Sequence, residues 1–184
     1  NKVSLFDEEI VKQADAICED QFILFSYFSY KFEDKNFWNK DVLTNNIFDK
    51  SMHWSDISFY EKVDIKNIWE MSRWSWVPIL TMAFRMSGDV KYLNKLNYLI
   101  DNWTKSNPIN SGINWSCGQE VSIRLIHLLQ GMNILYPVNK IMIDSNQFKF
   151  ILKHLERINL TLDYASSQSN NHIISESGAL FIGG

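Results

Sequence analysis

The chain of 184 residues is poor in the residues that cross-link or break a small fold: it has two cysteines, three prolines and seven glycines. Cys18 and Cys117 lie far apart and match no metal-binding or redox spacing, so we expect two reduced, buried thiols. No apolar run reaches the 18 residues that a transmembrane helix needs, and no basic leader opens the chain at Asn1. These features favour a globular fold without a disulfide framework.

A strong excess of positive charge is also missing, because the formal net charge is −3 and no basic run occurs. Nucleic-acid binding through a broad cationic surface is therefore not expected. An acidic polymer remains compatible with the sequence, since a local basic cleft can form on an acidic protein. Aromatic residues reach 14%, and such rings either fill a core or stack on sugars. Composition does not separate these two uses.

Apolar residues recur at helical spacing through most of the chain, and short loops join the helices. We predict a first helix over 5–20 and a second from Ile65 to Gly88, with a kink or a late start at Pro78. A third covers 90–106 after an Asp89 cap, and a fourth runs from Trp115 to a stop before Pro137. A fifth begins at Asp144 or Ser145 and carries an apolar stripe of Phe148, Ile151, Leu152, Leu155, Ile158 and Leu162, and a last helix starts at 171.

The remaining segments add little β-structure to this pattern. QFILFSYFSYKF (21–32) is compatible with one short strand or with a helix, and residues 33–64 are typical of a long ordered loop. Neither β-α-β alternation nor a glycine-rich phosphate loop occurs. The sequence therefore predicts one all-α domain over 1–184, built from antiparallel helical hairpins.

Two Glu/Arg pairs interrupt the apolar pattern. Glu70 and Arg73 lie three residues apart, and Glu120 and Arg124 lie four apart in the favourable order for a helical ion pair. Tryptophan accompanies both pairs, and Asn114 precedes the second. Each pair alone is typical of a weak surface ion pair. Together they also suggest polar clusters that face a shared cavity, where arginine could hold an acidic ligand.

The stretch SSQSNNHIISESGAL (166–180) allows two interpretations. Ser167, Ser169 or Asn170 could cap a helix, which would leave Asn171 and His172 in its first turn. There a neutral imidazole could accept a proton. The remaining histidines, His53, His127 and His154, show no metal-ligand spacing, and we expect neither a metal nor a cofactor.

Five stretches in order resemble the N-terminal helical domain of the heparinase II/III-like polysaccharide lyases. They are HWSDISF (53–59), DIKNIWEMSRWSWVPIL (64–80), SGDVKYL (87–93), INWSCGQEVSIRLI (113–126) and SSQSNNHIISESGAL (166–180). The resemblance covers roughly residues 50–184. It implies an incomplete (α/α) toroid of helical hairpins, to which full-length members add further helices and a β-sandwich domain.

The resemblance also implies a function: β-elimination on uronic-acid polysaccharides such as heparan sulfate or alginate, in the periplasm or outside the cell. Asn171 would neutralise the uronate carboxylate, and His172 would act as a base or position the substrate. The family's tyrosine base follows the Asn-His pair, so it is expected beyond Gly184; Tyr164 precedes the pair. The residues expected to bind substrate are Glu70, Arg73, Trp74, Asn114, Trp115, Glu120 and Arg124.

Two alternatives to a lyase stay open at the level of sequence. One is a non-catalytic domain that binds acidic glycans or serves polysaccharide assembly. The other is a helical scaffold whose polar clusters are only caps and ion pairs. For the lyase and for the glycan-binding domain, the expected partner is an acidic polysaccharide or oligosaccharide.

Overall fold

The computed structural model describes residues 5–32, 37–57, 64–139, 145–168 and 170–184. Within these ranges the chain forms a two-stranded sheet and a series of α-helices. The elements are α1 (Leu5–Cys18), β1 (Gln21–Leu24), β2 (Phe28–Lys31), α2 (Lys66–Ser72), α3 (Trp76–Ser87), α4 (Val90–Ser106), α5 (Gly118–Asn139), α6 (Ser145–Asn159), α7 (Leu162–Ser167) and α8 (Asn171–Gly183). Short 3₁₀ turns cover Phe37–Asn39, Trp54–Asp56 and Ile113–Trp115.

The aromatic segment after α1 forms an antiparallel hairpin rather than one strand. Gln21 lies opposite Lys31 in the ladder, and the turn places Phe25 and Ser26 at φ values of 53° and 66°. Side chains alternate between buried and exposed along β1, as expected for a strand with one face on the core.

The predicted helix from Ile65 to Gly88 is interrupted before Pro78. Helix α2 ends at Ser72 and α3 starts at Trp76, with Trp74 between them at a φ of 63°. Pro78 therefore lies in the first turn of α3, where a missing N–H removes no intrahelical hydrogen bond. Of the two sequence-based alternatives, the late start is confirmed.

Local signals place the end of α3 and the start of α4 correctly. The Asp89 carboxylate accepts a hydrogen bond of 2.9 Å from the backbone N–H of Lys91, which caps the helix as predicted. Gly88 adopts a φ of 72° and donates to the carbonyl of Phe84, so it closes α3 directly before this cap.

The predicted end of α5 is wrong, because the helix continues through Pro137 to Asn139. A proline near the end of a helix removes one backbone hydrogen bond, and few turns follow that it could disturb. Helix α6 begins at Ser145, one of the two expected positions, and ends at Asn159, so Leu162 belongs to α7. Phe148 and Leu152 of the predicted stripe are exposed, whereas Ile151 and Ile158 are buried.

Helices α3, α5 and α8 lie side by side, with α4 packed against α3 and α6 against α5 and α8. Glycines allow the close approaches: a Cβ on Gly131 of α5 would lie 2.4 Å from Val77 of α3, and one on Gly183 of α8 would lie 3.0 Å from Leu155 of α6. The predicted all-α architecture is confirmed. Among the described helices, none combines the length and apolarity needed to cross a bilayer.

Candidate functional site

Arg73, in the break between α2 and α3, joins two glutamates. Its Nε and Nη2 donate to the carboxylate of Glu120 at 2.7 and 2.9 Å, and Nη1 donates to Glu70 at 2.5 Å. Glu120 lies in the first turn of α5, so this bidentate pair brings the N-terminal ends of α3 and α5 together. The two carboxylates raise the pKa of Arg73 and keep it charged.

The backbone on both sides of this cluster is held in conformations that non-glycine residues rarely adopt. Trp74 has a φ of 63° and Phe25 a φ of 53°. The second carboxylate oxygen of Glu70 accepts a hydrogen bond of 2.9 Å from the backbone N–H of Phe25. Glu70 thus connects the turn of the N-terminal hairpin to Arg73.

His127 is a third link between α5 and this segment. Its Nδ1 lies 2.7 Å from the carbonyl oxygen of Arg73, and a carbonyl can only accept, so Nδ1 carries the proton of this bond. No local pattern in the sequence predicts this contact, because the partner of His127 is a backbone atom 54 residues away.

The helical ion pair predicted between Glu120 and Arg124 is wrong. Arg124 is fully buried, and its Nε donates to Nε2 of His154 at 3.0 Å. Its Nη groups donate to the carbonyls of Ser72 and Asn114 at 3.3 and 3.2 Å. Burial lowers the pKa of Arg124 to about 9, and the nearby Glu120 acts in the opposite direction.

Aromatic rings enclose the Arg124 guanidinium, which lies 4.4 Å from the ring of Trp103 and 5.2 Å from that of Trp115. Trp74 stacks on Phe150 in the same cluster, with ring centroids 5.7 Å apart and planes 9° from parallel. These rings fill the core, so the tryptophans of both Glu/Arg motifs are unavailable for stacking on a sugar.

Asn114 is also enclosed. Its amide nitrogen donates to the carbonyl of Trp38 and to the side-chain oxygen of Asn107, both at 2.8 Å. We therefore correct the expectation that all seven residues contact substrate. Four of them are fully buried in the core, where they cannot contact a substrate: Trp74, Asn114, Trp115 and Arg124.

At the start of α8 the two neighbouring asparagines have different roles. The Asn170 side chain accepts a hydrogen bond of 2.9 Å from the backbone N–H of His172 and caps the helix. Asn171 is exposed, and its side-chain amide makes no hydrogen bond to the described part of the chain. His172 is partly exposed, and its Nδ1 lies 3.3 Å from Oε1 of Glu176.

Glu176 is a neighbour of His172 that the sequence alone does not single out. Its side chain is 2% exposed and lies against Gly118, where a Cβ would come within 2.9 Å of the carboxyl group. Gly118 opens α5, so this contact places the first turns of α8 beside the helix end that carries Glu120. Burial raises the pKa of Glu176, while its hydrogen bond with His172 acts to lower it.

Arg157 of α6 holds the chain that leads into α5. Its guanidinium donates to the carbonyls of Trp115 and Ser116, both at 2.9 Å, and stacks 3.5 Å from the ring of Trp54. Burial lowers its pKa to about 10, whereas Glu176 acts to raise it. On an amphipathic helix such an arginine is indistinguishable by sequence from a surface residue.

Several cavities lie between the described elements, and two of them adjoin residues of the Glu/Arg motifs. One of about 730 Å³ is lined by α3, α4, α5 and α6, with Trp74, Leu96 and Phe150 among its lining, and neither Asn171 nor His172 borders it. A smaller one of about 440 Å³ lies between α1, the hairpin and the start of α3, and Glu70 borders it.

Known structures share this arrangement of helices. A heparinase III solved with methylated lysines superposes with a TM-score of 0.63 at 20% sequence identity, over 98% of this chain and 29% of that one. Heparan sulfate lyase HepC from Pedobacter heparinus superposes with a TM-score of 0.55 at 18% identity, over 97% of this chain and 25% of that one. The chain thus spans less than a third of either protein, and the likeness shows a shared fold: the helical toroid expected from the sequence.

Sequence comparison completes the assignment. No curated protein sequence matches the chain. The family model described as heparinase II/III N-terminus matches residues 2–184. The chain therefore belongs to the heparinase II/III N-terminal family.

Proposed function

We propose that this chain forms part of the catalytic domain of a polysaccharide lyase that cleaves uronic-acid-containing polymers by β-elimination. Family membership over residues 2–184 supports the lyase class. The solved relatives are a heparinase III and a heparan sulfate lyase, which favours a heparan sulfate-like substrate. An alginate-like polyuronate offers the same carboxylate chemistry and belongs to the proposal.

The reaction needs a group that stabilises negative charge on the substrate. A base takes the C5 proton, α to the uronate carboxylate, and leaves an enediolate. The C4–O glycosidic bond then breaks as a C4=C5 double bond forms, and the leaving oxygen takes up a proton. A neutral amide that donates to the carboxylate stabilises this charge as it develops. A neutral imidazole beside it can accept a proton or hold the sugar in place. Asn171 and His172 supply these two groups.

The observation that carries the proposal is the division of roles at the start of α8. Asn170 alone caps the helix, so capping does not account for Asn171, which is exposed with its amide open to a ligand. The first turn of a helix also favours a bound anion, because its unpaired backbone N–H groups point toward the N-terminal end of the helix.

The Glu70–Arg73–Glu120 cluster has a supporting role in this proposal. Glu120 occupies the bidentate edge of Arg73, so the arginine fork is not open to a uronate. The cluster carries two negative charges and one positive charge, which disfavours an anion directly on it. We assign it the task of fixing the ends of α3 and α5 beside the substrate path.

The proposed lyase acts on an acidic polysaccharide in the periplasm or outside the cell, where such polymers occur. The test uses the full-length natural protein with heparan sulfate and with alginate, and follows the absorbance of the unsaturated uronate product. Asn171→Ala is expected to lower turnover by ~100-fold or more, as removal of an oxyanion-stabilising donor does. Asn94→Ala, at an exposed asparagine on α4, is the matched control and retains wild-type turnover.

Two results would contradict the proposal. Full turnover by both Asn171→Ala and His172→Ala would remove these residues from the reaction. Binding of acidic oligosaccharides by the wild-type protein without any absorbance change would instead identify a glycan-binding domain without catalysis.

A further inference from the structure

Glu176 combines three features that a merely structural residue does not need. It is a carboxyl group with 2% exposure, it has an oxygen, Oε2, without a hydrogen-bond partner among the described residues, and it contacts the imidazole of the proposed site. A buried carboxyl oxygen without a partner costs stability. A buried polar atom without a partner needs an explanation, and a role beside the proposed site supplies one.

We propose that Glu176 is a positioning residue: it holds His172 with the proton on Nδ1, so that Nε2 carries the lone pair offered to the substrate. This inference rests on the proposed function for the role of His172 in turnover, but the tautomer itself can be measured without any activity.

The hydrogen bond defines which nitrogen carries the proton. Oε1 of Glu176 lies 3.3 Å from Nδ1 of His172, and an ionised carboxylate can only accept. Nδ1 must then be the donor, and in a neutral ring Nε2 becomes the acceptor. The i,i+4 spacing on α8 keeps the two side chains on one face.

Gly118 makes room for this carboxylate. A Cβ at position 118 would lie 2.9 Å from Cδ, Oε1 and Oε2 of Glu176 alike, closer than real side chains approach. Gly118 is not among the residues with positive φ, so the backbone conformation does not require glycine there. Glycine is required there because the carboxyl group of Glu176 leaves no room for a Cβ.

The charged and titratable groups around Glu176 come from three elements. His172 on α8 and Arg157 on α6 both favour its ionised form. The charge of Glu176 in turn acts to raise the pKa of Cys117, just before α5. The carboxylate also lies at the N-terminal end of α5, where the helix dipole favours negative charge. These interactions oppose the burial that raises the pKa of Glu176.

The test measures the His172 tautomer by nitrogen NMR of 15N-histidine-labelled protein, with His172→Ala to assign the signal. The wild type is expected to show the proton on Nδ1. Glu176→Met, which keeps the volume but removes the acceptor, is expected to shift His172 toward the Nε2-protonated form and to lower lyase turnover by ~10-fold or more. Its melting temperature should be unchanged or higher, because a buried carboxyl group is removed.

Gly118→Ala is the second variant, since it displaces the carboxylate without deleting it. The displaced atoms are the end of a flexible side chain, so the protein should fold normally while the tautomer preference weakens. Glu156→Met on the exposed face of α6 removes one charge elsewhere and should leave the tautomer and turnover unchanged.

The outcomes separate the two proposals. Protonation of Nε2 in the wild type, or an Nδ1-protonated ring in both Glu176→Met and Gly118→Ala, would overturn the positioning role whatever the activity. A tautomer change as expected in a protein without lyase activity would support the positioning role and reject the proposed reaction. A melting temperature that falls together with turnover, with the tautomer intact, would make Glu176 a structural residue.

Discussion

Arg73 and Glu120, 47 residues apart in the chain, form two parallel hydrogen bonds of 2.7 and 2.9 Å. This pair connects the break between α2 and α3 to the first turn of α5, and Gly118 in that turn contacts Glu176 of α8. Three helix ends are thereby held at one end of the domain. The exposed Asn171 and the partly exposed His172 lie at the same end.

Loss of the Arg73–Glu120 pair should destabilise the fold. Glu120→Gln removes the charge of a carboxylate that is 7% exposed, and we expect a loss of about 2 kcal/mol in the free energy of unfolding. Asp101→Asn, in the exposed pair with Lys105, is the control and should change it by less than about 0.5 kcal/mol. Denaturant titration measures both, and equal effects would contradict a structural role for the Arg73 cluster.

The two asparagines before His172 should separate stability from activity. Asn170→Ala removes the α8 cap and should cost about 1 kcal/mol. Asn171→Ala should stay within about 0.5 kcal/mol of the wild type, because the side chain is exposed. Thermal unfolding of both variants checks this, and a larger loss at Asn171 would mean that the cap assignment is wrong.

His154 should make the protein sensitive to mild acid. Burial and the neighbouring charge of Arg124 lower the pKa of His154 well below its usual 6.5. His154 is therefore protonated near pH 6.5 in the unfolded chain but stays neutral in the native state. The free energy of unfolding falls as the pH drops below that value. His154→Gln cannot titrate, so its melting temperature should fall less than that of the wild type between pH 7 and pH 5. Equal falls would show that His154 is not the acid-sensitive group.

Glu176 should act on stability in the opposite pH direction. Its pKa is raised above the usual 4.5, chiefly by burial, so the native state binds this proton more tightly than the unfolded state. Stability from this group is complete below pH 4.5 and is lost as the pH rises through the native pKa. The melting temperature of Glu176→Gln minus that of the wild type should therefore increase from pH 4 to pH 8. Glu156→Gln controls for the lost charge, and a flat difference between wild type and Glu176→Gln would reject the raised pKa.

Signals confined to a few neighbouring residues were sufficient for the helix ends. The position of Asp89 before an apolar repeat predicts the cap of α4, and Asn170 is one of three candidates that the sequence offers for the cap of α8. The spacing of Glu120 and Arg124 predicts an ion pair that does not form, because i,i+4 geometry permits such a pair without requiring it. Burial decided the outcome, since Arg124 points into an aromatic core that offers His154 and backbone carbonyls instead.

The sequence by itself determined the all-α class and the family, because apolar periodicity, helix caps and ordered motifs are local features of the chain. It also made Asn171 and His172 candidates, a role that stays a prediction. Only the tertiary structure decided which polar groups meet. It turned Trp74, Asn114, Trp115 and Arg124 into core, joined Arg73 to Glu120, and set Glu176 behind His172 in the space left by Gly118. Those contacts join helices tens of residues apart, and packing alone selects among the partners that charge and size would permit.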